Sequence, residues 1–428
     1  MALGGGTFTT QNKVLPGSYI NFVSSKIAAA TLGERGVAAL ALPLSWGVDD
    51  AIFEVSADKF RTDCLKIFGF EYESDEAKGL RDLFRNIRTL YCYKLMNGGA
   101  KASNTMATAK YKGANGNMIS TEILTGTSSG TFDVNVYFGN TLVYSANVTS
   151  VEQLTAVDNG FVDFTISTLA ATPKEAMSNG EDGTAVTATE HVAFLDASEN
   201  YAFNAMGCLS TEPTIQELYI QEVKDMRENA GIKYQVVLYN KPADHEAVVN
   251  VKNSVDAVWW TLGIIAGCPI NKSNTNVVYD GEFDMPVTYT QAQLEAAIRL
   301  GEFVFHQVGQ EVRVLRDINS LITTTSSKSE DFKSNQTIRV IDQIAMDIAT
   351  IFNTKYIGQI PNNASGRVSL WNDITKHHQQ LEQVGAIENF ITGDVQVLPG
   401  ESKRSVVVND TIQVVNSMEQ LYMTVVVS

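Results

Sequence analysis

PTIQELYIQEVKDMRENAGIKYQVVLY, residues 213–239, is the stretch that decides the fold. Pro213 and Thr214 open a helix in which Ile215, Leu218, Tyr219, Val223 and Met226 fall on one face, the spacing of an amphipathic helix. Ala230-Gly231 ends it, because glycine enters the left-handed region after a helix C-terminus without a Cβ penalty. Ile232–Tyr239 then reads as a buried strand rich in β-branched and aromatic residues. The same alternation continues outward. Thr290-x-x-Gln293 is a capping box that starts a helix over Gln291–Leu300, closed by Gly301. Phe303–Val308 and Val312–Arg316 follow as a hairpin around Gly309-Gln310. Helix and strand in turn over 191–332 predict a layered α/β domain.

Upstream, Ala38–Trp46 reads as a buried apolar segment, Asp58–Phe68 and Asp75–Ile87 as helices, and Thr89–Leu95 as a strand. From Gly98 to Glu190 the pattern is all-β and rich in Thr, Asn, Gly and Ser. Phe132, Val134, Val136 and Phe138 alternate with polar residues, and Gly139-Asn140 turns the chain into Thr141–Val148, a hairpin. This block predicts an inserted β-sandwich-like domain. Downstream, Ser334 is a good N-cap for a helix carrying Ile338, Ile341, Ile344, Ile348 and Phe352. A second helix is expected over Ser369–Val384, with His377 and His378 on an exposed polar face. Short strands follow at Ala386–Thr392, Asp394–Leu398, Ser405–Asn409, Thr411–Val415 and Leu421–Val427.

The fold class read from these elements is α+β and multidomain. A terminal arm over 1–30 precedes a small α+β domain over 31–97 and the inserted β-rich domain over 98–190. The α/β core domain spans 191–332, an α+β C-terminal domain 333–404, and C-terminal strands with an arm 405–428. At 428 residues the chain has room for about three domains.

Composition excludes several functions. Asp plus Glu number 48 against 32 Lys plus Arg, a net charge of −16. Nucleic-acid binding needs clustered cations to displace phosphate counterions, so none is expected. The longest apolar run, Val255–Ile270, contains Asp256 and falls short of the ~20 residues of a membrane span. The N-terminal residues have neither a basic nor an apolar segment of a secretory signal. Cys64, Cys92, Cys208 and Cys268 stand far apart and read as reduced core residues. The five histidines form no HxH or HExxH, so no metal site or cofactor is expected. Asp244, His245, His306, Asp317 and Ser320 lie in the α/β block without a GxSxG elbow or a recognisable triad order, which argues against an enzyme.

The two chain ends raise a different question. Ser18-Tyr19-Ile20-Asn21-Phe22-Val23, after the turn at Pro16-Gly17, is a strand candidate with no sequence-adjacent partner. Leu421-Tyr422-Met423-Thr424-Val425-Val426-Val427 is an apolar strand that would aggregate as an open edge unless paired. Pairing inside its own domain is the common solution; donation to a neighbouring chain is the other.

Several long motifs in fixed order resemble the contractile tail sheath proteins of Gram-positive phages and PBSX-like defective prophages. They are MALGGGTFTTQNKVLPGSYINFVS at the start and ERGVAALALPLSWG (Glu34–Gly47). LEAAIRLGEFVFHQVGQEVRVLRDINSLITTT (Leu294–Thr325), NQTIRVIDQIAMDIATIFNTKYIGQIPNN (Asn335–Asn363) and the terminal LYMTVVVS follow. The resemblance implies a structural subunit, not an enzyme. Such subunits stack as hexameric rings wound helically around a tail tube and contract to drive it through a bacterial envelope. It implies that Ser18–Val23 and Leu421–Val427 add strands to neighbouring subunits. It also implies that the C-terminal domain faces the tube, with Lys355, Arg367 and Lys376 as candidate contacts to tube carboxylates. Implied partners are further copies of the chain, the tail tube protein, and baseplate and tail terminator proteins, with no cofactor and no membrane insertion. The implied place is a virion tail or bacteriocin particle, assembled in the host cytoplasm. A non-contractile baseplate or tube-associated protein is the alternative, and an α/β hydrolase ranks third.

Overall fold

The computed structural model describes Gly4–Gly6, Gly17–Tyr19 and residues 32–427. The chain divides into two compact units. One comprises Gly33–Met346, Val384–Glu388 and Gln413–Ser428; the other comprises Met1–Leu32, Asp347–Gln383 and Asn389–Ile412.

The larger unit is built on a seven-stranded sheet. Its strands in chain order are β1 (Val37–Pro43), β2 (Ile52–Ser56), β3 (Thr89–Leu95), β4 (Ala205–Gly207), β5 (Gln235–Tyr239), β6 (Val248–Val251) and β7 (Glu302–Phe303). Across the sheet the order is β7-β6-β5-β4-β1-β3-β2. All neighbours are parallel except β2, which runs antiparallel to β3. The residues expected as a separate domain over 31–97 thus share one sheet with those of 191–332.

A sheet covered on both faces needs strands without polar alternation, which is why VAALALP of β1 is apolar throughout. Ala38, Leu40 and Leu42 face a core with helices α1 (Ala57–Phe68), α2 (Lys78–Phe84) and α5 (Ala257–Gly267). Ala39 and Ala41 face the other core, with α3 (Ala188–Ser198) and α4 (Pro213–Asp225). Helix α5 is buried nearly all round and so lacks a polar stripe. No helix among the described residues is long and apolar enough to cross a membrane. After α4 a widened turn over Met226–Ala230 ends at Gly231, whose φ of 76° is the left-handed cap read from the sequence. Helix α6 (Gln291–Arg299) carries the capping box, with the Thr290 side chain accepting from the Gln293 backbone and Gln293 returning the bond.

Helix α7 (Asn335–Ile351) starts where Ser334 predicts, but the Ser334 hydroxyl donates to Asn416 Oδ1 at 3.1 Å. Two buried ion pairs tie the first part of α7 to the turn over Met226–Ala230 and to Asp317. Arg227 forks onto both Asp342 oxygens at 2.7 Å. Asp317 accepts from Arg339 at 2.8 Å, Asn335 Nδ2 at 3.0 Å and the Asn274 amide at 2.9 Å.

The insertion carries a four-stranded antiparallel sheet in the order 141–148, 132–138, 119–125, 172–176, and a three-stranded one in the order 162–164, 107–112, 101–103. They enclose a separate core of which Trp46, at the end of the β1 segment, is a member. Its indole packs edge-on against Tyr111 at 5.2 Å and donates to the Lys66 carbonyl at 3.0 Å. The chain leaves and returns side by side, since Asn97 bridges to Thr184. Excision of residues 98–183 with a short linker is therefore expected to leave the α/β sheet folded. Stability should fall by about 3 kcal/mol as Trp46 loses its partners. Circular dichroism and thermal melting of the excised variant check this; insoluble or unfolded protein would contradict the boundary.

In the smaller unit, helix α8 (Ala364–Gln383) packs with the hairpin of β8 (Val395–Pro399) and β9 (Val406–Asp410). Its core is Ile351, Tyr356, Leu370, Ile374 and Val395, flanked by Phe352, Trp371 and Val406. The boundary expected at 404/405 falls between the two paired strands of this hairpin. Gly4–Gly6 pairs in parallel with Gly17–Tyr19. Ile20, Asn21, Phe22 and Val23 lie outside the described residues.

Candidate assembly site

The chain's last segment runs within the larger unit along a defined path. Gln413–Val414 pairs antiparallel with Ile387–Glu388, and the Val415 amide donates to the Ala386 carbonyl at 3.0 Å. Gln336 holds Val415 and Ser417, donating to the Val415 carbonyl at 3.0 Å and accepting from the Ser417 amide at 3.1 Å. Glu419 then accepts from Arg316 at 2.6 Å and Thr275 at 2.9 Å. Past this anchor the regular pairing stops. Among the described residues, 420–427 belong to neither helix nor strand, and their backbone has no hydrogen-bonded partner. Leu421 is 85% exposed, Tyr422 87% and Val427 91%. Seven residues of strand-forming, mostly apolar character lie in water beyond a firm anchor.

The smaller unit presents the complementary feature. Among the described residues β8 and β9 form a sheet of only two strands. Leu398, Val407 and Val408 on it are exposed. A lone hairpin is marginal in water and gains from further strands.

The three candidate tube contacts have different surroundings. Lys355 is already paired with Asp373 at 2.6 Å, which also accepts from the Tyr356 hydroxyl. Arg367 is half-buried and donates to Asn362 Oδ1 at 3.1 Å. Lys376 is exposed and, among the described residues, has no carboxylate partner.

His377 and His378 correct the sequence reading: both are 0% exposed. His377 Nε2 lies 2.9 Å from Asp347 Oδ2, His378 Nε2 2.6 Å from Asp410 Oδ2, and the two Nδ1 atoms are 3.2 Å apart. In that last contact one ring donates and the other accepts. The chain of four groups joins α7, α8 and β9. Helical periodicity missed it because both carboxylates come from other elements, about thirty residues away.

The topological switch point of the α/β sheet, where such folds hold ligands, lies between the carboxyl ends of β1 and β4. A cleft of about 930 Å³ lies there, lined chiefly by Leu42, Leu44, Phe68, Phe70, Leu209 and Trp259. Among the described residues no histidine, cysteine or cation lines it. His245 is buried beside Glu246, and Ser320 donates to the His245 carbonyl rather than to its ring. All four cysteines are free and buried, and burial pushes the Cys64 thiol up to about 12. Among the described residues no group of three or more metal-ligating side chains converges.

Residues 184–320 match the phage tail sheath protein central domain, and residues 327–428 match the phage tail sheath C-terminal domain. The chain belongs to the phage tail sheath family, whose members are structural proteins of the tail. It is 31% identical to the sheath tail protein of Desulfitobacterium hafniense, with a TM-score of 0.78 over 95% of this chain and 99% of that one. It is 29% identical to phage-like element PBSX protein XkdK of Bacillus subtilis, with the whole of both chains covered. The contracted helical sheath of the anti-feeding prophage shares the fold alone, at 14% identity and a TM-score of 0.58 over 97% of this chain and 99% of that one. The multidomain α+β architecture is thus that of tail sheath subunits.

Proposed function

We propose that this subunit polymerises as helically stacked hexameric rings around a tail tube, and that the polymer contracts to drive the tube through a bacterial envelope. The observation that carries the reading is the exposed Leu421–Val427 segment, anchored at Glu419 and without a partner in its own chain among the described residues. Donated to a neighbour's sheet edge, it would bury side chains worth about 1.5–3 kcal/mol each and satisfy its backbone groups. Ser18–Val23 adds a strand at the other end, where Ser18 and Tyr19 also pair with Gly5 and Gly6 of their own chain. Strand bonds run through the backbone and survive rotation of one subunit against the next, so domain surfaces can repack while the mesh stays joined. A contracted state that buries more apolar surface than the extended one supplies the work. Further copies, the tube, and the baseplate and terminator proteins are the partners, in a tail or bacteriocin particle assembled in the bacterial cytoplasm.

Negative-stain microscopy of the purified protein tests this: tubes or stacked rings are expected, and a monodisperse monomer at high concentration would contradict it. The inner face has its own test. Reversing Lys355 and Lys376 to Glu should impair assembly around tubes more than tube-free polymerisation, because exposed ion pairs of about 0–1 kcal/mol hold the tube while strands hold the sheath. Equal loss in both assays would assign these residues to folding or to contacts between subunits.

A further inference from the structure

A cleft of about 550 Å³ opens in the smaller unit, floored by Phe352, Tyr356, Ile360 and Leu370 and rimmed by Arg367, Lys403 and Arg404. Asn362 organises the rim. Its amide donates to the carbonyls of Lys403 at 3.2 Å and Ser405 at 2.8 Å, and its oxygen accepts from Arg367. Lys403 and Arg404 are exposed, and among the described residues none of the three cations is in an ion pair. Ile357 beside them is 56% exposed. Three unpaired cations around an apolar floor, on a chain of net charge −16, ask for an acidic occupant.

The larger unit carries a matching acidic surface. Residues 71–76 read EYESDE, and Glu71, Glu73, Asp75 and Glu76 are all exposed and, among the described residues, make no ion pair. The loop is held rather than loose. Arg81 donates to the carbonyls of Tyr72 and Ser74 at 2.5 and 2.7 Å, while Glu282 grips Arg81 at 2.7 Å. The Tyr72 ring packs edge-on against Phe60 at 5.2 Å. A loop fixed in this way loses little freedom on docking.

We infer that the acidic loop of one copy docks in the basic cleft of a second copy, a side-chain contact additional to strand exchange. It rests on the reading that the chain polymerises. Copies each carrying −16 repel overall, so assembly favours places where opposite charges meet. Because the pairs are solvent-exposed, each is weak and reversible, as suits a contact remade when subunits move.

The test pairs two full-length charge reversals, Glu73→Lys/Asp75→Lys and Lys403→Glu/Arg404→Glu. All four sites are exposed, and melting curves monitor folding; Glu73→Gln/Asp75→Gln and Lys403→Gln/Arg404→Gln provide milder counterparts. Each reversal alone should raise the critical concentration for polymerisation about tenfold or more, read by sedimentation and microscopy. An equimolar mixture should polymerise near the wild-type concentration, because every junction between unlike copies restores opposite charges. Wild-type behaviour of the single reversals, or a mixture as defective as its components, would overturn the inference. Wild-type protein that never polymerises would instead sink the sheath-assembly reading, and this contact with it.

Discussion

Truncation after Gln420 is expected to abolish sheath polymerisation while the monomer's melting temperature moves by no more than about 2 °C. The reason lies in where the segment stands before assembly. Leu421–Val427 is exposed and has no ladder partner among the described residues, so its loss removes little from the folded monomer. An apolar strand paired within its own domain would, on deletion, expose a sheet edge and lower the melting temperature by many degrees. Solubility should rise, since the deletion removes an aggregation-prone tail. Val426→Pro is the gentler variant: it removes one backbone N–H and leaves the remaining residues in place. It should weaken polymerisation strongly without moving the melt. Sedimentation and thermal melting of both variants check the pair of outcomes. Normal assembly by Val426→Pro, with a truncation that merely destabilises, would exclude exchange at this end.

The second large effect belongs to the fold. Asp342→Ala should destabilise the protein by about 3–5 kcal/mol, read from denaturant melts, because it leaves the Arg227 guanidinium buried without its counter-charge. Both partners are below 10% exposed and joined by two bonds of 2.7 Å. Burial raises the Asp342 carboxyl's pKa, while Arg227 opposes that shift. The double change Arg227→Met/Asp342→Leu should recover most of the loss, since a packed apolar pair needs no compensating charge. A cost below about 1 kcal/mol for Asp342→Ala would mean that the guanidinium finds water or another acceptor.

How much of this was legible depended on whether the deciding contacts were local. The helix of residues 213–225 with its glycine stop, the capping box at Thr290 and Gln293, and the hairpin of Phe132–Phe138 with Thr141–Val148 are local, and they fold as read. Strand β4, Ala205–Gly207, escaped notice because three residues ending in glycine carry no period. Yet it joins β1 to β5, and without it the residues of 31–97 looked like their own domain. The imidazoles of His377 and His378 were misplaced for the same reason, since Asp347 and Asp410 meet them only in the folded unit. At the assembly site the apolar tail was plain from composition. The basic cleft was not: Arg367 is 36 residues from Lys403, and only the turn pinned by Asn362 brings them to one rim. The adjacent Lys403-Arg404 in so acidic a chain was the one available signal.

A cryo-electron microscopy reconstruction of the assembled polymer, at a resolution that traces backbone, tests the central claim most directly. Density for Leu421–Val427 should run from one subunit into the next and extend a sheet there as an added strand. Density that turns back to pair within its own subunit, in a polymer held by side-chain contacts alone, would contradict it.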